Sequence, residues 1–239
     1  MASYMAARLP RLAFEKLNLQ RKVQHIGTGL ALAQIFLLFS QQTCTLALGA
    51  GTISLASLQV ARMLSNTVNV EFLRFFGSML KEEERIGVRP PAALWFLMGL
   101  FLCLVAFPRR LTLLCTLVAT LADPLAAIGG ILLGGPQLLP RGCPSSKSLG
   151  GSMTCFLVAA LLGAGVVLTA PRPAPAADAV VLGVLCGACA AACEIAGGLS
   201  RYVDDNILTS FGSGLLLQVA ASCARLAGWQ NDGFRALLS

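Results

Sequence analysis

Four long stretches of this chain carry no charged side chain: Ile26 to Ala61, Pro90 to Pro108, Ser148 to Pro171 and Asn206 to Ala224. A helix needs roughly 20 mostly apolar residues to cross a bilayer. Helical spans are therefore expected. Composition agrees: 56% of residues are hydrophobic and 12% charged, against about 25% charged in soluble domains. An ordinary soluble domain, a disordered chain and a coiled coil are excluded. The sequence predicts an all-α, polytopic transmembrane bundle of about seven spans, at 25–39, 44–61, 92–107, 111–135, 152–170, 179–199 and 207–227. Ser40-Gln41-Gln42-Thr43 supplies a polar turn, and Pro90-Pro91 and Pro108 sit at span ends, where proline is tolerated. Arg172-Pro173-Ala174-Pro175 makes a stiff connector. The chain divides into a basic N-terminal segment (1–24), a transmembrane domain (25–227) and a short C-terminal tail (228–239).

The net charge of +7 is not a nucleic-acid signal, because the cations are spread between spans without a long basic run. They read better as topology determinants. Five lie in 1–24, and Arg62, Arg74, Lys81, Arg85, Arg89, Arg141, Lys147 and Arg201 fall on the same side of the seven-span map. Only Arg109, Arg110, Arg172, Arg225 and Arg235 fall on the other. The bias puts the N-terminus in the cytosol and the C-terminus across the membrane. Leu9, Leu12, Ala13 and Leu17 are spaced to share one face of a short interfacial helix, should the segment be helical; a basic, acid-poor start also resembles an organelle transit peptide. Most of the nine cysteines lie in apolar runs, Cys186-x-x-Cys189 among them, and read as small buried hydrophobes.

Ionisable groups in or beside spans are costly and point to function. Arg21-Lys22-x-x-His25 shares one helix face and suits either a phosphate or a plain positive-inside anchor. Asp123-Pro124 interrupts a span ahead of Gly129-Gly130, as a polar pocket or a structural kink. Ser145-Ser146-Lys147-Ser148-Leu149-Gly150-Gly151-Ser152 opens the next span, as an anion site with a lysine beside free N–H groups or as simple serine capping. It is not a P-loop, because Ser146 stands where that motif needs glycine. Glu194 and Asp204-Asp205-Asn206 offer oxygen ligands of the kind Mg²⁺ shares with substrate phosphates, while Asp204 and Asp205 also suit helix N-caps. Glu82-Glu83-Glu84 reads as a solvated acidic face.

Taken in order, these elements resemble a known family. Arg21-Lys22-Val23-Gln24-His25, Asn69 to Glu84 leading into Gly87, Ala122-Asp123-Pro124-Leu125-Ala126-Ala127 with Gly129, Lys147-Ser148-Leu149-Gly150-Gly151-Ser152, Glu194 and Asp204-Asp205-Asn206 are similar to the polyprenol kinase and CTP-dependent lipid kinase group. That group includes dolichol kinases, phytol kinases and fungal-type CTP-dependent diacylglycerol kinases, and is related to the integral-membrane phosphatidate cytidylyltransferases. The resemblance covers about residues 21–220. Phe72 to Arg85, Trp95-Phe96-Leu97-Met98-Gly99 and Phe107-Pro108 are most similar to the diacylglycerol kinases.

The resemblance implies a phosphotransferase that moves the terminal phosphate of CTP to a membrane lipid alcohol. Diacylglycerol comes first as acceptor, giving phosphatidate; phytol, dolichol or another polyprenol is the alternative. A phosphatidate cytidylyltransferase and a non-enzymatic membrane protein of the same fold are further alternatives. It implies Mg²⁺ or another divalent cation held by some of Asp123, Glu194, Asp204, Asp205 and Asn206. Arg21, Lys22, Lys147, Ser148 and Gly151 would receive the nucleotide phosphates, and Asp123, His25 and Lys147 would be catalytic. It also implies an endoplasmic reticulum or nuclear envelope membrane, or alternatively the plastid envelope.

Overall fold

The computed structural model describes residues 19–87, 89–140, 142–170, 174–200, 203–228 and 231–238. The expected interfacial helix over Leu9–Leu17 lies outside them. Seven principal helices follow the apolar runs: α1 (Leu19–Leu38), α2 (Gln41–Leu64), then α5 (Ala92–Ala106), α6 (Arg109–Leu132), α7 (Leu149–Leu168), α8 (Ala176–Leu199) and α9 (Asp205–Leu226). Between α2 and α5 lie the short α3 (Asn66–Phe76) and α4 (Glu82–Arg85), and α10 (Asp232–Leu238) ends the chain.

The boundaries have local causes. Ser40 caps α2 by accepting from the Thr43 amide at 3.1 Å. Gln41 donates to the carbonyls of Leu104 and Phe107 at 2.8 and 2.9 Å, satisfying the last turn of α5. Pro91, Pro108 and Pro175 stand immediately before α5, α6 and α8. Ser148 and Asp204 cap α7 and α9.

Among the described residues five helices are long and apolar enough to cross a membrane: α2, α6, α7, α8 and α9. The expectation of seven spans is therefore met only in part. α5 is apolar but has 15 residues, about 22 Å at the helical rise, short of the roughly 30 Å hydrocarbon core. α1 has the length, but Gln20, Arg21, Lys22, Gln24, His25 and Thr28 occupy its first three turns. Both pack into the bundle: Phe36 of α1, Leu48 of α2 and Phe96 and Leu100 of α5 form one buried cluster. The larger cluster holds Leu111, Leu114, Cys155, Leu182, Cys186 and Leu217. Small residues let α7 and α8 approach closely, as is common between helices in lipid: a Cβ on Gly183 would lie 2.6 Å from the Ala160 carbonyl oxygen. Leu46, Ile53, Leu157, Leu161 and Val180 face outward.

α10 buries Phe234 and Leu237, one turn apart on a single face. Asp178 accepts from the Asp232 amide at 2.7 Å, and Arg110 donates to the Ala236 carbonyl at 3.2 Å.

Two helices contain a π turn, Val118–Ala122 in α6 and Leu208–Gly212 in α9. Pro124 explains the first: it has no N–H for the carbonyl four residues back, and its ring crowds that carbonyl. Hydroxyls satisfy backbone oxygens at the second, with Thr209, Ser210 and Ser213 donating to Asp205, Asn206 and Thr209 at 2.8, 2.6 and 2.5 Å. Such turns concentrate at functional sites, and these directly precede Asp123 and closely follow Asp205 and Asn206.

Candidate functional site

The starts of α1, α7 and α9 and the C-terminal halves of α6 and α8 meet at one end of the bundle around a cavity of about 670 Å³. Arg21, Lys22, His25, Asp123, Lys147, Ser148, Gly151, Glu194, Asp205 and Asn206 all line it. Ten of the eleven residues singled out from the sequence thus share one space. Asp204 is not among the lining residues.

Lys147 is held by backbone and charge together. Left-handed Gly134 and Gly135 (φ 61° and 92°) turn the chain after α6, a conformation glycine adopts without a Cβ penalty. The returning segment is then pinned by Leu138 N–H to Lys147 O at 2.7 Å, Leu149 N–H to Pro136 O at 3.0 Å and Gly150 N–H to Gly134 O at 2.9 Å. The Lys147 ammonium lies 3.0 Å from Glu194 Oε1 and 3.6 Å from Asp205 Oδ2, with its side chain 10% exposed. Burial disfavours this charge, but the carboxylates of Asp205, Glu194 and Asp123 outweigh it and raise the Lys147 pKa above its ordinary value. Lys147 is therefore cationic at physiological pH.

Two expected metal ligands have other work in this geometry. Glu194 spends one oxygen on Lys147 and accepts from Ser152 at 2.8 Å with the other. It positions the lysine. Asp204 caps α9: Oδ1 accepts from the Asn206 amide at 3.1 Å and from the Asn206 side chain at 2.6 Å. Burial, then the neighbouring Asp205 carboxylate, pushes the Asp204 pKa up to about 6. Of the expected acidic ligands, Asp123 and Asp205 remain on the cavity wall, Asp205 while also facing Lys147 at 3.6 Å; Glu82 lines the cavity as well. Beside them stands Asn206, whose buried Oδ1 has no hydrogen-bond partner among the described residues.

Among the described residues no three His, Cys, Asp or Glu side chains gather into a cation cage. Two carboxylates and an orphaned amide oxygen fit a different type of site. Mg²⁺ commonly takes one or two carboxylates from protein and completes its shell with water and substrate phosphates.

His25 is fixed from two sides. Its ring lies 4.5 Å from the Phe96 ring, and Nε2 is 3.0 Å from the Ala119 carbonyl inside the first π turn. A carbonyl only accepts, so Nε2 carries the proton and Nδ1 is the basic nitrogen of the neutral ring. Close helix contact makes this reach achievable. At Gly29, one turn further along α1, a Cβ would lie 2.1 Å from Thr120 Oγ1. Lys22 is partly buried in the same cavity wall. Ser148 accepts from the Gly151 amide at 3.3 Å, so the capping role is realised at the cavity wall.

The acidic run is not wholly a solvated face. Glu82 and Glu83 are exposed and pair with Arg85 and Arg89 at 3.8 and 3.1 Å. Glu84 is buried and accepts from the amides of Lys81 and Ala92 at 3.0 and 3.2 Å. Arg62, stacked over Phe72 at 4.5 Å, donates to the Glu84 carbonyl. This clamp ties the 66–87 segment across the bundle end and brings Lys81 and Glu82 to the cavity. Those two, with Gln137, were not legible as site residues: they sit in connections without periodicity, and only the folded path brings them there.

No family model matches the sequence, and no solved structure matches it. It is similar to a Rickettsia prowazekii (strain Madrid E) protein described only as uncharacterized, with 29% identity over 147 residues, or 61% of this chain and 67% of that protein.

Proposed function

We propose that this chain is a CTP-dependent lipid kinase that transfers the terminal phosphate of CTP to a membrane lipid alcohol, with diacylglycerol as first acceptor and phytol or another polyprenol next. One observation carries the reading: a cavity that gathers Arg21, Lys22 and Lys147 with Asp123 and Asp205 at the end of a bundle built to lie in lipid. Cations suit a polyphosphate, paired acids suit its counter-ion, and the apolar helices keep the acceptor's tail at hand. The choice of CTP rests on the family resemblance of the motifs.

In the reaction, the lipid hydroxyl oxygen bonds to the terminal phosphorus as the bond from that phosphorus to the bridging oxygen breaks. CDP departs with the bridging oxygen. The hydroxyl proton passes to a base on the cavity wall, His25 Nδ1 or the Asp123 carboxylate. Such transfer is mainly positioning and charge neutralisation. Lys147, Lys22 and Arg21 supply the positive charge, and Glu194 with Ser152 keeps Lys147 aimed. A Mg²⁺ ion held by Asp123, Asp205 and Asn206 would add neutralisation of the phosphate oxygens.

The same reading keeps α1 and α5 as membrane-crossing, seven spans in all. The uncharged stretch Pro90–Pro108 is longer than α5 itself, and the helix ends at the cavity alternate in direction. The compartment implied by the resemblance is the endoplasmic reticulum or nuclear envelope.

Purified protein in detergent, given labelled CTP or ATP with diacylglycerol, phytol or dolichol, tests this. The expected product is the phosphorylated alcohol, formed faster from CTP. A product heavier by cytidine monophosphate identifies a cytidylyltransferase. Folded protein that binds no nucleotide refutes the enzyme reading.

A further inference from the structure

A second cavity of about 260 Å³ adjoins the first, and the two share Arg21 and His25 in their walls. Its character is opposite. Leu55 of α2, Phe72 and Phe76 of α3, Met79, Leu80 and Phe96 of α5 supply its large apolar side chains, with Gln24, Thr28 and Glu84 also in the wall. Phe96 is the ring that packs on His25. Met79, Leu80 and Glu84 come from the segment held by the Arg62–Glu84 clamp, and α3 carries outward-facing Val70 and Phe75, the pattern of a helix lying at a membrane interface.

We propose that this cavity seats the part of the acceptor's hydrocarbon chain adjoining its hydroxyl, and that Leu55, Phe72, Phe76 and Phe96 determine which lipid alcohols are used. The proposal rests on the lipid kinase reading. A charged cavity and an apolar cavity meeting at one imidazole suit an amphipathic acceptor, whose hydroxyl sits at the junction while its chain is excluded from the phosphate side. The volume lies below the roughly 300–1,000 Å³ of a typical ligand pocket, so only the proximal chain is enclosed and the remainder lies in the bilayer. Discrimination is then strongest for branching or bulk close to the hydroxyl and weak for chain length.

The test uses the full chain in detergent micelles and a long-chain alcohol with a photoreactive diazirine a few carbons from its hydroxyl, without nucleotide. Crosslinks are expected at Phe72, Phe76, Met79 and Phe96, at least tenfold above those at outward-facing Leu46 and Leu161. Ala93→Trp, which projects bulk into the cavity from an exposed position, should reduce them tenfold. It should also raise the KM for acceptor tenfold while leaving the KM for CTP unchanged. Leu55→Trp fills the same space from α2 and gives the same result where Ala93→Trp does not fold. Labelling no greater in the cavity than on the outer face overturns the proposal, and phosphate transfer to the same alcohol in a separate assay with CTP then leaves the kinase reading standing. Concentrated labelling with no transfer from any nucleotide refutes the kinase reading and leaves the lipid-alcohol site standing.

Discussion

Replacing Lys147 with alanine should damage the fold as well as the chemistry. Its ammonium stands 3.0 Å from Glu194 and 3.6 Å from Asp205, and Glu194 has a side-chain exposure of 6%. Removing one member of a buried ion pair leaves the other without compensation, at a cost of about 3–5 kcal/mol. The cavity admits water to this site, which argues for the lower end, about 3 kcal/mol. For a chain of this size that corresponds to a fall in Tm of about 6–12 °C. The buried cysteines supply an assay: thermal unfolding in detergent followed by a thiol-reactive dye. Because the folded pKa of Lys147 is raised, its stabilisation is fully present below the ordinary 10.5 and lost only as pH rises through the folded value. The difference in Tm between wild type and Lys147→Ala is therefore flat from pH 6 to 9. In Lys147→Met with Glu194→Gln the more buried carboxylate goes with the lysine and the volumes are nearly kept, so part of the Tm returns; Asp205 is still left without its cation. Phosphoryl transfer should not return, staying at least about a hundredfold down, the effect expected of a charge-stabilising group. A loss under about 1 kcal/mol in Lys147→Ala, or full turnover in the double variant, would refute the assignment of this lysine.

Asp123→Asn and Asp205→Asn should each lower turnover by about a hundredfold or more while the protein remains folded and inserted; full activity in either removes that residue from the mechanism. Gly151→Ala places a Cβ 2.9 Å from the Ala126 carbonyl oxygen, and backbone yields poorly, so about 1–3 kcal/mol of overpacking should appear as a lower Tm. Asp204→Ala removes the cap of α9 and costs about 1 kcal/mol, with a smaller loss of turnover than Asp205→Asn; the reverse order would return Asp204 to the metal site. Reporter tags on the two termini should fall on opposite sides of the membrane, the N-terminal tag in the cytosol, and tags on one side would overturn the alternating helix order.

The helices and the residues that break their apolar pattern were legible in the sequence. A charge in a membrane helix is costly enough to stand out wherever the chain folds, so Asp123, Lys147, Glu194 and Asp205 were visible one by one. Serine before an apolar run and proline at its edge act within a turn of chain, so the helix boundaries were visible too. Spacing did not reveal which polar group meets which. Glu194 and Asp204 looked like ligands equal to Asp205, yet one is bound to Lys147 and Ser152 and the other to the amide of Asn206. Pro124 announced a break but not the π turn, nor that the Ala119 carbonyl inside it meets His25 across 94 residues. Glu84 read as one of three solvated acids, and only the approach of Arg62 and Ala92 buries it. The apolar cavity left no trace in the sequence, since aromatic residues 20 positions apart, Phe76 and Phe96, share it only because the fold brings α3 and α5 to one space. Local chemistry determines where a helix starts and where charge interrupts it; partnership among charges depends on contacts distant in the chain, and those exist only once the bundle has closed.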